Sequence, residues 1–177
     1  MPQLRRIASI TLLTVLCLWS IPALAWEAEI LRVTDGDTVV VRRTENGEQI
    51  RIRLNGVDAP EKRGSKWKAQ PYSRVAADFL RELLPVGSLA TVIDMGRDRH
   101  SRTVGNIIAL PAGKVVQEEL LQAGLVWVYP KYCRDCRQWT EMQESAKQAG
   151  RGLWRDKNPV PPWEWRKAAR SSHPDNE

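Results

Sequence analysis

The sequence predicts an α+β domain built on a small five-stranded β-barrel. Three observations carry that expectation. Short apolar segments separated by turn residues fill positions 27–57, two further strand-like segments follow an amphipathic helix, and the hairpin connections are too short for the crossovers of a parallel sheet. A chain of 177 residues suits one domain with a substantial core.

The first three strands are read from Ile30-Leu31-x-Val33, Val39-Val40-Val41 and Ile50-x-Ile52-x-Leu54, divided by Thr34-Asp35-Gly36-Asp37 and by Thr44-Glu45-Asn46-Gly47-Glu48. Pro60 has no N–H to give a ladder and ends the third strand; a basic loop from Lys62 to Ala69 follows. Pro71 opens a helical stretch in which Val75, Ala76, Phe79, Leu80, Leu83 and Leu84 recur at helical spacing until Pro85. Leu89–Asp94 and Thr103–Leu110 read as two more strands, joined by the charged run Gly96 to Arg102. Val115–Ala123 and Trp139–Ala149 read as helices stopped by Gly124 and Gly150, which makes three helices in all. The segment from Asn158 to Trp165 is rich in proline and tryptophan and reads as extended, with disorder expected beyond Arg166.

Arg5-Arg6, an apolar stretch to Ile21 and Ala23-Leu24-Ala25 form a secretory signal pattern, too short for the ~20 apolar residues of a membrane span. The expected organisation is therefore a signal peptide at 1–25, a folded domain at 26–157 and a C-terminal segment at 158–177. The expected location is the periplasm or the medium, with no membrane attachment after cleavage. The net charge of +6 and pI near 9.5 favour an anionic partner such as nucleic acid or phospholipid. In an oxidising compartment Cys133 and Cys136 are expected to form a local disulfide; a free thiol pair, a metal half-site and a redox motif are the alternatives.

The chemistry concentrates at the turns. With the second hairpin centred on Asn46, Asp37 would lie level with Asn55, at the same end as Asp58, and share a face with Arg53. Two carboxylates and a nearby backbone carbonyl make a hard oxygen site for Ca²⁺ or Mg²⁺, and the chain has only two histidines, which argues against softer metals. Glu61, three residues past Asp58, could orient or deprotonate a water there, and Arg53 and Arg102 could grip a phosphate. The plain alternative treats Asp35 and Asp37 as turn formers, Asp58 as a strand cap and the arginines as solvated edge charges.

The runs Val33-Thr34-Asp35-Gly36-Asp37-Thr38, Arg53-Leu54-Asn55-Gly56-Val57-Asp58-Ala59-Pro60-Glu61 and Asp98-Arg99-His100-Ser101-Arg102 resemble, in order and spacing, the active-site segments of the staphylococcal nuclease (thermonuclease) family. The resemblance spans about Glu27 to Trp154. It implies an OB-fold barrel that hydrolyses phosphodiesters of DNA and RNA with Ca²⁺, leaving 3′-phosphates. Carried over by position, Asp37, Asp58 and the Ala59 carbonyl would bind Ca²⁺, Glu61 would act as general base or water-orienting group, and Arg53 and Arg102 would hold the scissile phosphate. His100-Ser101 stands where the family commonly has an aromatic-glycine pair, leaving Arg99 as the candidate contact to a terminal phosphate. Tyr129 and Tyr132 are both candidates for base stacking.

The expected protein is a monomeric, exported, largely sequence-nonspecific endonuclease that prefers single strands, with no stable protein partner. Its rivals are a non-catalytic barrel that binds nucleic acid or a peptide, and a thiol protein built on the two late cysteines. A binding module would be expected to lose some of Asp37, Arg53, Asp58, Glu61 and Arg102, and all five are present.

Overall fold

The computed structural model describes residues 25–64, 68–133 and 136–171. The signal-peptide reading, the centre of the basic loop and the last six residues fall outside these.

Five strands close into the barrel: β1 (Ala25–Asp35), β2 (Thr38–Arg43), β3 (Gln49–Leu54), β5 (Leu89–Arg97) and β6 (Thr103–Ala109). Short pieces β4 (Val57–Asp58) and β8 (Trp127–Val128) pair with each other, and β7 (Lys114–Val115) lies against β6. The long β1 serves both sides of the barrel. Its start pairs with β5 and its second half with β2, across two irregularities at Ile30/Arg32 and Val33/Asp35 that turn the strand around the barrel. The seam is the parallel pairing of β3 with β6, Ile52 to Thr103 through Leu54 to Gly105.

Alternation accounts for the interior: Ile50, Ile52 and Leu54 point inward, while Gln49 and Arg51 are exposed. Ile30, Val39, Val41, Val92 and Ile107 fill the barrel, and α1 (Ser73–Leu83) and α2 (Val116–Gln122) cover it with Leu80, Leu120 and Leu121. Val75, expected on the inward face of α1, is 51% exposed, because that face runs through Ser73, Ala76, Ala77 and Leu80 instead. α3 (Arg137–Gln148) packs on α2, and Cys133 and Cys136, joined by a disulfide, lead into it.

Two expectations are corrected. The described residues form four α-helices, not three: Pro162–Ser171 forms α4 where an extended segment and disorder beyond Arg166 were expected. Proline is compatible with a first helical turn, and the following Trp-Glu-Trp-Arg-Lys-Ala-Ala-Arg contains no breaker. The β2–β3 hairpin is also shifted by one residue: Thr38 faces Arg53, and the Leu54 N–H donates to the Asp37 carbonyl (2.8 Å), so Asp37 lies level with Leu54 and not Asn55. Arg43 and Glu48 close the loop around residues 44–47, with Gly47 at φ 74°, and this places the hairpin centre between Glu45 and Asn46. No helix among the described residues is long and apolar enough to cross a membrane.

Candidate active site

Asp37 and Arg53 meet despite the shifted register. Asp37 belongs to the turn preceding β2, so strand alternation does not dictate where its carboxylate points. Gly36 lets that turn press against the domain; a Cβ there would lie 2.8 Å from the Cβ atoms of both Ala59 and Ala76. In this position Asp37 Oδ2 accepts the Ala59 N–H (2.7 Å), and Oδ1 accepts the Thr38 hydroxyl (3.0 Å).

Arg53, at the end of β3, is the hub. Its guanidinium reaches Asp37 (3.2 Å) and Asp58 (2.6 Å) and donates to the carbonyls of Val57 (2.8 Å) and Leu54 (3.2 Å). Asp58 is 1% exposed, and it also accepts from Arg166 Nη2 (2.8 Å) and Nη1 (3.3 Å). Arg166 Nη1 donates in addition to Glu61. Glu61 is anchored through its backbone: its N–H donates to Gln70 Oε1 (3.0 Å), its carbonyl accepts the Gln70 N–H (2.8 Å), and Gln70 Nε2 reaches the Val160 carbonyl (2.6 Å).

On the other side stands the β5–β6 connection. Asp98 Oδ1 accepts the amides of His100 (2.8 Å) and Arg102 (3.0 Å), and its Oδ2 takes Arg102 Nε and Nη2, both at 2.7 Å. Ser101 takes a left-handed φ of 59° in this turn. Arg99 bonds His100 Nε2 through its own Nε (3.1 Å). A cleft of about 860 Å³ brings the two sides together; Asp37, Arg53, Asp58, Ala59, Glu61, Arg99, Arg102, Tyr129 and Tyr132 all line it. Every residue singled out from the sequence therefore borders one cavity. Tyr132 is 46% exposed, whereas Tyr129 is held between Tyr132, edge-on at 5.1 Å, and Trp163, stacked at 5.1 Å and 12°.

The charges strain against one another. Burial, and then the Asp37 charge, push Asp35 up to about 6, with Lys62 (3.6 Å) and a hydrogen bond from Thr38 only partly offsetting them. Burial raises Asp58 as well, with Asp37 adding to it against Arg166 and Arg53. Glu61 is raised by burial, against the opposing pull of Arg166, and this moves it toward the range useful for a base. For Arg166, burial works against the charge, but Asp58 and Glu61 outweigh it and hold the guanidinium above its ordinary range.

A hard cation fits this chemistry. Donors on this side of the cleft are oxygens, and burial first, then repulsion between neighbouring carboxylates, raises the acids' pKa values. Asp37 Oδ1 and Asp58 Oδ2 each carry one hydrogen bond and keep a lone pair free. No three acidic, imidazole or thiol groups of the described residues form a ready-made metal cluster. A cation would thus rely on two carboxylates, a carbonyl such as that of Ala59, and water.

A barrel whose rim sets buried acids and paired guanidinium groups around an open, cation-lined cleft defines the class of enzymes that work on anionic esters. The comparisons narrow the class. The family model described as staphylococcal nuclease homologue matches residues 51–156. An uncharacterized endonuclease of Escherichia coli O157:H7 is 39% identical over 154 residues, covering 86% of this chain and 94% of the relative. A micrococcal nuclease of Shigella flexneri is 32% identical, covering 96% and 95%. A staphylococcal-like nuclease of Arabidopsis thaliana is 36% identical over 71% of this chain but only 36% of its own length. The chain belongs to the staphylococcal nuclease family and is an endonuclease, a hydrolase of phosphodiester bonds.

Sequence reasoning missed Arg166, Trp163, Gln70 and Asp98 as parts of the site. For the first two a signal existed: Trp163, Arg166, Lys167 and Arg170 recur at i, i+3, i+4 and i+7, the spacing of one helical face.

Proposed function

We propose that the protein is an exported, Ca²⁺-dependent nuclease of low sequence specificity that cuts DNA and RNA, single strands preferentially, and leaves 3′-phosphates. The observation that carries this is the shared cleft: Asp37, Asp58, Glu61, Arg53 and Arg102 all line one cavity, with Arg53 bonded directly to Asp37 and Asp58. Asp37, Asp58 and the Ala59 carbonyl would hold Ca²⁺, which when bound supplies electrostatic stabilisation of the charge that builds on the phosphate oxygens. Arg53 and Arg102 donate to the non-bridging oxygens and orient the phosphorus, with Arg99 beside them for a terminal phosphate. Glu61 accepts the proton of the attacking water as its oxygen bonds to phosphorus and the bond to the 5′-oxygen breaks; that oxygen leaves as a hydroxyl after taking up a proton from solvent. Contacts confined to phosphate carry no sequence information, which supports the low specificity. Export rests on the N-terminal signal pattern, supported by the Cys133–Cys136 disulfide.

The test incubates purified protein with circular single-stranded DNA and with supercoiled DNA in Ca²⁺, in Mg²⁺ and in chelator. Fast cutting of the single-stranded circle in Ca²⁺ and none in chelator is expected. Undiminished cleavage in chelator would reject the cation's role, and no cleavage under any condition would reject the nuclease reading.

A further inference from the structure

The family match ends at residue 156, so it assigns nothing to α4. Yet α4 contributes four residues to the lining of the cleft. Trp163, Arg166, Lys167 and Arg170 all border the cavity and lie on one face of the helix. In a helix that merely covers a core this stripe would be apolar. Here it is one aromatic and three cations; Trp163 on Tyr129 and Trp127, Arg166 on Asp58 and Glu61, the buried Pro162 and the Trp165 indole, which donates to the Lys68 carbonyl (3.2 Å), dock the helix and leave Lys167 and Arg170 without that task. Only Arg166 is committed to the acids. Lys167 and Arg170 are exposed and form no ion pair with any described residue.

Lys167 and Arg170, which neither dock the helix nor neutralise the acids, add a positive edge to the cleft that Arg99 and Arg102 also line. Beside it, Trp163, Tyr129 and Tyr132 form a continuous aromatic cluster whose outer member, Tyr132, is exposed. A charged track next to stacking rings is the recognition chemistry of single-stranded nucleic acid, since a duplex keeps its base faces covered. We propose that α4 is a second substrate-binding wall, on which Lys167 and Arg170 hold phosphates of a single strand and Trp163, with the tyrosines, supports its bases. This rests on the nuclease reading and adds a binding element outside the part of the chain the family match covers.

The test measures anisotropy of a fluorescein-labelled oligothymidylate against the full chain in chelator, where turnover is blocked, over a series of salt concentrations. The Lys167→Gln/Arg170→Gln variant is expected to bind about tenfold more weakly, and its log–log salt dependence to be shallower by about 1.4, two phosphate contacts at about 0.7 each. Trp163→Ala is expected to lose about tenfold in affinity with little change of slope. Arg74→Gln, on an α1 side chain 93% exposed and away from the cleft, is the charge control and should bind as the parent does. With Ca²⁺ restored, the loss in the double variant should fall chiefly on KM. Parental affinity and slope in the double variant, with the parent binding and cutting normally, would overturn the α4 assignment alone. Tighter binding by the double variant would overturn it too, by making α4 a competitor of the substrate. A parent that neither binds nor cuts the oligonucleotide would instead overturn the nuclease reading on which it depends.

Discussion

Arg102 is useful to a phosphate only if it points into the cleft, and one carboxylate holds it there. Asp98 receives three hydrogen bonds, from Arg102 Nε and from the amides of His100 and Arg102, and an ion-pair contact from Arg102 Nη2 at 2.7 Å. Burial alone would raise the Asp98 carboxyl, but these bonds outweigh it and hold it below its ordinary range, so the pair survives into acid solution. Asp98→Asn keeps one oxygen for the amides and turns an NH₂ toward the guanidinium. The loop is partly exposed, so the stability cost should be modest, about 1–2 kcal/mol. The catalytic cost should be larger, because a displacement of about 1 Å in a positioning group costs on the order of 10²-fold in rate. Loss of the guanidinium itself, in Arg102→Ala, should cost roughly 10²–10³-fold.

The decisive assay is a double-mutant cycle on kcat with single-stranded DNA and Ca²⁺. If Asp98 acts through Arg102, Asp98→Asn has no further effect once Arg102 is alanine, and the coupling equals nearly the whole effect of the single change. Additive losses would refute the reasoning, since Asp98 would then contribute by some path other than aiming this arginine.

Gly36→Ala should destabilise the domain by about 1–3 kcal/mol, against the slight gain usual for such a change in an open turn, because the new methyl meets Ala59 and Ala76; a raised melting temperature would contradict the packing. Asp35 is harder to ionise in the folded chain, at about 6 against an ordinary 3.8, so in chelator its contribution to stability is intact below pH 3.8 and is lost as pH rises through about 6. Asp35→Asn should therefore stabilise the metal-free protein by up to about 3 kcal/mol above that window and by nothing below it, as read by urea denaturation across pH. Gln70→Ala leaves the Glu61 amide and the Val160 carbonyl without their partner and should cost about 1–3 kcal/mol, with a drop in kcat as Glu61 shifts; unchanged stability would show that water replaces the amide.

What the sequence displays is local. Alternation in β1–β3 and the Asp-Gly-Asp turn are legible because a strand's period and a turn's chemistry involve neighbours only. The site's acids were legible because they sit at those turns. The hairpin register was missed by one residue, since a five-residue turn segment allows more than one closing pair and only packing selects Arg43 with Glu48. The helical face of Arg166 was legible in its spacing, but its link to the site was not, since it lies 108 positions from Asp58 and 105 from Glu61 and the prolines before it disguised a helix start as an extended segment. Asp98 was legible as the first residue of the Asp98–Arg102 run that resembles the family but not as the group that holds Arg102, although its four-residue spacing to Arg102 is where a turn can fold an acid back onto an arginine.

The barrel's closure is also what assembles the site. Arg53 lies in the seam, paired with Val104 across the parallel contact of β3 and β6. Val104 follows Arg102 by two residues, so the pairing that shuts the barrel is also the one that delivers the β5–β6 loop, with Asp98 and Arg102, to the cleft that Arg53 lines. An open sheet with the same strands would keep Asp37 beside Arg53 through the β2–β3 hairpin, yet leave Arg102 on an edge remote from it. Asp37 is thus kept beside Arg53 by a short-range hairpin, whereas the second arginine depends on a long-range pairing. Substitutions that loosen the seam, such as shortening Ile52 where it packs behind Gly105, should therefore reduce the grip on the phosphate before they disturb the Asp37–Arg53 contact.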